Sequence, residues 1–443
     1  MKLKRMIAPL LAMSLIVPGA GGAKAMENPT VSTPAADLRS TFDHLLSEHY
    51  VLAVTAMTKS FDSAEDAEQA MDALDQNAAD MTPAVASVYG EEGAAEFQRI
   101  FGGHNDYTAD LVAAAKENDG AARDAAEKEV EEFVQEFSTF LDTATEGNLP
   151  KTAAEEAIRL HEEQVLNVFD YYAAGEYEKA YKTFREGYKH MYVISKALSG
   201  AIVAQMPEKF QHTKVDEPAA ELRSTLNSLA AEHFALAAIG MQKGYDKSED
   251  YDFVSWAEDE NTAEFKEALA GIYGEEGAAQ FEKVWQDGHI NAQAELVSAS
   301  LEGNEEGEKA AKEKLHAFSA NFGSFLSAAT EGNLPEEDAQ AAVKAHEETV
   351  IKTFEQYSSG EFQEAYSTFR EGYALMYGVG EALGNAIVTQ MPEKFAGTAV
   401  PEEMPKTGMG GTSNTAGMMW AGIAAAFAIG AGFAARRKTE TAE

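Results

Sequence analysis

The sequence predicts an all-α protein made of two tandem homologous antiparallel helical bundles. Three observations point there. Apolar residues recur at helical spacing along most of the chain. No stretch keeps the two-residue alternation that a half-buried strand requires. Long blocks from one half return in the other. Tyr89-Gly90-Glu91-Glu92-Gly93-Ala94-Ala95 reappears as Tyr273-Gly274-Glu275-Glu276-Gly277-Ala278-Ala279, and Ala144-Thr145-Glu146-Gly147-Asn148-Leu149-Pro150 as Ala329-Thr330-Glu331-Gly332-Asn333-Leu334-Pro335. Phe184-Arg185-Glu186-Gly187-Tyr188 returns as Phe369-Arg370-Glu371-Gly372-Tyr373, and Gln205-Met206-Pro207-Glu208-Lys209-Phe210 as Gln390-Met391-Pro392-Glu393-Lys394-Phe395. This period far exceeds that of stacked solenoid repeats, so each copy is expected to be a bundle of five or six helices.

The elements follow in chain order. Lys2, Lys4 and Arg5 precede an apolar run from Met6 to Val17, and Ala23-Lys24-Ala25 is a small-x-small cleavage site. Residues 1–25 therefore read as a secretory signal peptide, the apolar run being too short to span a bilayer. A short linker, 26–36, leads into the first bundle over 37–210. There Leu38, Phe42, Leu45, His49, Leu52 and Ala56 share one helical face, as do Phe97, Phe101, His104, Thr108 and Leu111, and Ile158, His161, Val165 and Val168. Breaks are expected at Gly90, at Gly147-Asn148-Leu149-Pro150 and at Gly175-Glu176-Tyr177. A linker over 211–218 precedes the second bundle, 219–395, with matching stripes Leu222, Leu226, Leu229, His233 and Trp285, His289, Ala292, Leu296. Residues 396–408 read as a stalk with a terminal motif, and 409–443 as an apolar segment with a basic tail.

Charge excludes several function classes. The chain of 443 residues has 74 acidic and 35 basic residues, a net charge of -39. Removing the leader and the far tail takes away more basic than acidic groups. Such a surface repels nucleic acid and anionic lipid, so no nucleic acid partner is expected. There is no cysteine, which removes disulfides, thiolate metal sites and cysteine nucleophiles. No phosphate loop, dinucleotide fingerprint or serine-triad spacing is present, so a non-catalytic protein is expected ahead of an enzyme, and any enzyme would have to be a redox one built on the histidines.

Histidine supplies the remaining chemistry. His49, His104 and His161 occupy places matched by His233, His289 and His346, each on an apolar stripe. Three inward imidazoles from different helices form a ligand set for zinc, copper or iron, or for a haem, with a coordination position left open. The other reading is that each ring is a core histidine bonded to a carbonyl or carboxylate. Glu-x-x-His and His-Glu-x-x-His are both missing, so neither a ferritin-like diiron centre nor a zincin site is expected. Glu48, Glu162, Glu232 and Glu347 adjoin the paired histidines. A neighbour one step along a helix points elsewhere, so these groups support a ligand from behind or face solvent. Asn77 and Asn261 also match, and either supply an amide oxygen or cap a helix. The late tyrosines, among them Tyr172, Tyr188 and Tyr192, read as core.

The far end carries an address. Met404-Pro405-Lys406-Thr407-Gly408 is followed by an apolar stretch from Gly417 to Ala435 and then Arg436-Arg437-Lys438. This order resembles the cell-wall sorting signal read by sortases of Gram-positive bacteria, with Met404 where the family usually has leucine. The resemblance implies cleavage of the Thr407–Gly408 amide, transfer to peptidoglycan, and a protein on the outer face of the cell. Before cleavage the apolar stretch is long enough to hold the chain in the membrane. The body from Leu38 to Phe395, with its Glu-His near the start and Gln-Met-Pro-Glu-Lys-Phe at the close, resembles a group of secreted all-helical proteins of Bacillus relatives. Members often carry a copper amine oxidase-like label. Such oxidases make a quinone from Asn-Tyr-Asp/Glu and hold copper partly by His-x-His. Here Asn105-Asp106-Tyr107 has the wrong order and no His-x-His occurs, so only a pointer to metal remains. The leading expectation is a wall-anchored protein binding a metal ion or metal-containing ligand through the six histidines; the alternative is a structural or adhesive surface protein without one, and a third class is a redox enzyme using the same site.

Overall fold

Thr33 opens the first helix by accepting the N–H of Ala36 on its side chain, and Pro34, whose fixed φ suits a first turn, begins α1 (Pro34–Asp62). Ser63, left-handed at φ 54°, ends it. The structure, a computed structural model, describes residues 28–396. The first half continues with α2 (Ala67–Gly103), α3 (Asp106–Glu117), α4 (Gly120–Ala144), α5 (Lys151–Ala173) and α6 (Tyr177–Gln205). The second half repeats the order as α7 (Pro218–Asp246), α8 (Tyr251–Trp285), α9 (Asn291–Glu302), α10 (Glu305–Ala329), α11 (Glu336–Ser358) and α12 (Phe362–Gln390), closed by a single turn, α13 (Pro392–Phe395). No strand occurs among the described residues.

The repeated Tyr-Gly-Glu-Glu-Gly marks a kink inside a long helix. Gly90 sits at φ 73° within α2 and Gly274 at φ 76° within α8, a backbone state that favours glycine. The halves differ at the next corner. Phe101 and His104 are three residues apart, while Trp285 and His289 are four apart. The extra residue is absorbed as a π-helical turn over Gln286–Ile290, where the first half simply breaks between α2 and α3.

Helices α1 and α7 are the two central rods. Each packs on helices of its own half and on the other rod, and α12 also meets α1 and α2 of the first half. One hydrophobic core runs through both halves. The segment between α6 and α7 is tied down as well: Phe210 and Val215 are buried, and Arg39 donates to the Val215 carbonyl at 2.8 Å. Glycine in Phe-Arg-Glu-Gly-Tyr allows this packing. A Cβ at Gly187 would collide with the Tyr50 ring, and one at Gly372 with the Phe234 ring.

No helix among the described residues is long and apolar enough to cross a membrane. The signal peptide expected over 1–25, the motif Met404, Pro405, Lys406, Thr407, Gly408 and the apolar stretch after it lie outside the described residues.

Candidate metal centre

Each histidine of the second half comes from a different element. His233 lies mid-way along α7, His289 in the π turn and His346 on α11. All three are buried, and one nitrogen of each lies within 4.8 Å of the others. His233 Nε2 is 2.9 Å from His289 Nε2. Ring centroids are separated by 5.1, 5.4 and 5.7 Å. Phe318 stacks on His289 at 4.7 Å and fixes its plane.

Glu347 Oε1 lies 2.9 Å from His289 Nδ1. The two atoms are close but not aligned as a hydrogen bond, and Nε2 of that ring faces His233. The site is otherwise short of protein partners: His233 Nδ1, His289 Nδ1, both nitrogens of His346 and both Glu347 oxygens make no aligned hydrogen bond. Leaving buried polar groups unpaired costs about 1–3 kcal/mol each. A cation among the three rings would take the lone pairs at once, and it would leave Glu347 behind His289 as the orienting carboxylate common at such sites. Three equal bonds of about 2.0–2.1 Å in tetrahedral geometry put nitrogens roughly 3.3 Å apart; the His233–His289 pair is already near this at 2.9 Å, and the His346 nitrogen lies within 4.8 Å of both.

The rings are suited to an ion in their charge state. Burial, with help from His289 and His346, pushes His233 well below the ordinary histidine range. Burial lowers His346 to about 4 despite Glu347 beside it. Both are neutral at pH 7, as a ligand must be.

The first half builds a related but different cluster. His49 on α1 and His104 at the α2–α3 corner face each other, Nε2 to Nε2, at 3.1 Å. His161 on α5 is one ring further, 5.9 Å from His49 by centroids. Among the described residues only the second half brings three nitrogens within 4.8 Å. His104 Nδ1 is taken by the Phe101 carbonyl, so its Nε2 presents a lone pair. Burial lowers His104 to about 4 and His161 to about 3, and drives His49 well down. Glu162, instead of backing a histidine, sits with Tyr107 nearby, and burial raises its carboxyl to about 7. The second half has Ala292 at the place of Tyr107, which leaves Glu347 free to turn toward His289.

No family model, no curated protein and no solved structure matches this chain. The residues themselves therefore carry the reading.

Asn77 and Asn261 are buried within α2 and α8, and neither caps a helix. Asn77 donates to the Leu45 carbonyl at 3.1 Å and to Glu48 at 2.7 Å, and Asn261 donates to the Leu229 carbonyl at 3.1 Å and to Glu232 at 2.8 Å. Their Oδ1 atoms, like Nδ1 of His49 and His233, have no partner. Asn77 lies against His49 and favours its protonated form. Of the four glutamates beside the histidines none faces solvent, and Glu48 and Glu232 point away from the rings. They are gripped by Arg370 and Arg185, which sequence reasoning did not single out. The repeated Phe-Arg-Glu-Gly-Tyr carried that signal. Tyr188 and Tyr192 are buried and join Tyr373, Tyr377 and Ser47 in one hydroxyl network at the seam. His190 Nε2 meets the Ala157 carbonyl at 2.9 Å and takes no part in either cluster.

Proposed function

We propose that this chain is a wall-anchored surface protein whose second half holds one transition metal ion on His233, His289 and His346. The observation that carries it is the facing pair of Nε2 atoms at 2.9 Å, with a nitrogen of His346 within 4.8 Å and Glu347 Oε1 2.9 Å from His289 Nδ1 on the far side of that ring. Imidazole-only coordination suits zinc, copper or iron. The first half offers His49 and His104 as a two-nitrogen site, with His161 as a more distant third. A cavity of about 80 Å³ beside the second cluster favours a single ion over a haem.

The adhesive reading gains less. Among the described residues Leu160, Val193 and Leu301 are the exposed large apolar side chains. Three such residues make no patch of several hundred Å². Sortase and peptidoglycan remain the partners that Met404 to Gly408 implies, and a wall-attached chain ending at Thr407 is what mass spectrometry of released wall material would recover.

Elemental analysis of the purified protein tests the metal. Occupancy near one ion per chain, lost in His346→Ala and kept in His161→Ala, supports the site. A protein that folds and binds no zinc, copper, cobalt or iron at micromolar concentration overturns it.

A further inference from the structure

The metal site opens on one side into an apolar cavity. His233 and His346 form one end of this space, and its wall includes Ala230, Trp285, Val343 and Leu383. The chamber is about 80 Å³. Leu269, Leu326 and Leu383 also line an outer groove of about 280 Å³, so chamber and groove are adjacent and share these side chains. Both nitrogens of His346 are buried and unpaired at the inner end. The first half carries bulkier residues at matching places: Leu46 for Ala230, Ile158 for Val343 and Ile194 for Val379.

Shape and charge together define an occupant. The chamber is narrower than the 150 Å³ that admits a benzene ring, so it suits a slender chain rather than a ring system. Imidazole coordinates as a neutral ligand, so three such ligands leave the charge of a divalent ion uncancelled within the ligand set, in an apolar core. Buried net charge is costly, and one anionic oxygen head at the open coordination position reduces it.

We propose that the second half binds an unbranched aliphatic monocarboxylate, its carboxylate on the metal held by His233, His289 and His346 and its chain in the cavity leading past Leu383. This rests on the metal reading above. The head contributes an anionic ligand, the chain contributes burial, and no bond is made or broken in either molecule.

Cobalt(II) in the full chain gives the test, because its visible absorption reports the fourth ligand. Octanoate is expected to shift that spectrum saturably. Affinity should rise roughly three- to fourfold for each methylene from butyrate to octanoate, the ordinary gain for burying one such group. Octanol, which lacks the charge, should leave the cobalt bands unmoved. Ala230→Leu, which supplies the side chain the first half already carries, should keep cobalt and weaken octanoate by about tenfold or more. Val343→Ile serves the same purpose if the leucine variant does not fold. Cobalt bound with bands indifferent to octanoate, or an affinity flat in chain length, overturns this inference alone. Absence of cobalt from the folded protein overturns the metal reading and this inference with it.

Discussion

Arg185 of α6 forks onto Glu232 of α7, Nε to Oε1 at 3.0 Å and Nη2 to Oε2 at 3.1 Å. A residue of the first half thereby neutralises the carboxylate next to His233 in the second. Arg370 of α12 does the same for Glu48, beside His49, at 3.2 and 3.0 Å. Each glutamate is also held by its own asparagine, Asn261 or Asn77. The halves are thus crossed over: each lends a guanidinium to the central rod of the other, one residue from a candidate ligand. This arrangement positions α1 and α7 against one another and limits how either histidine can rotate away from its cluster.

Breaking one fork should be expensive. Arg185→Ala leaves Glu232 buried with only an amide for company, and loss of one partner from a buried pair costs about 3–5 kcal/mol. Arg185→Met combined with Glu232→Gln should recover most of that, since the glutamine still accepts from Asn261. Urea unfolding of the three proteins checks both statements. A single variant within about 1 kcal/mol of the parent would mean that water reaches the fork.

Glycine in the repeated Phe-Arg-Glu-Gly-Tyr has a packing role. Gly187→Ala drives a methyl group into Tyr50, and Gly372→Ala drives one into Phe234. Overpacking of this kind costs about 1–3 kcal/mol. Gly378→Ala, in the same helix as Gly372 but with open space around its Cβ position, should instead gain a few tenths to about 1 kcal/mol from helix propensity. Melting temperatures that move in the same direction for Gly372→Ala and Gly378→Ala would refute the distinction.

These cases show where the sequence was informative. Helical periodicity places His49, His233, His161 and His346 on buried stripes because a 3.6-residue repeat is a local property. The duplication pairs each of them without any structure. Neither signal says which stripes meet, because that depends on how α1 and α7 cross the seam. Nothing local marks Arg185 and Arg370 as partners of a carboxylate, and only the packing of the opposite half brings Arg185 into the core and Arg370 half-buried onto Glu48. The extra residue between Trp285 and His289 is visible by counting, yet its consequence is not. A break, a loop and a π turn all absorb one residue, and the choice depends on the surrounding core.

Glu162 makes a pH signature. Burial raises its carboxyl to about 7 in the folded chain, against an ordinary value of 4.5. Between those two values the folded state holds a proton that the unfolded state has released. Stability contributed by this group is therefore present below pH 4.5 and falls as pH rises toward 7, by at most about 3 kcal/mol. Glu162→Gln keeps an acceptor for Tyr107 and cannot ionise. The variant should be more stable than the parent at pH 7.5 and no different at pH 4, by chemical denaturation. Equal pH slopes would place Glu162 in contact with water.

Acid should release the ion late. His346 is lowered to about 4 against an ordinary 6.5, and burial pushes His233 well below that ordinary value too. The folded site thus binds fewer protons than the unfolded chain between about 4 and 6.5, so these rings add stability above 6.5 that fades as pH falls through that window. Protons compete for the folded ligands only near its lower edge. Cobalt absorption should therefore stay constant from pH 7.5 to about 5.5 and disappear as the pH approaches about 4. Half-release near 6.5 would show that the rings are exposed to solvent.

The π turn offers the sharpest test of why the two halves differ. His289 reaches Glu347 at 2.9 Å from within Gln286–Ile290, a turn that exists because one residue more separates it from Trp285 than separates His104 from Phe101. Deleting Gln286 restores the shorter spacing and should convert the corner to the break seen between α2 and α3. His289 Nδ1 then loses Glu347 and turns to a backbone carbonyl, as His104 does with Phe101. Stability should change little, since the first half tolerates that corner, while ion affinity should fall by at least the 10- to 100-fold typical of losing a supporting carboxylate. Circular dichroism and cobalt titration of the deletion variant separate the two effects. A variant that keeps its helices and its ion affinity together would mean that the extra residue, and the carboxylate it brings to His289, play no part in the site.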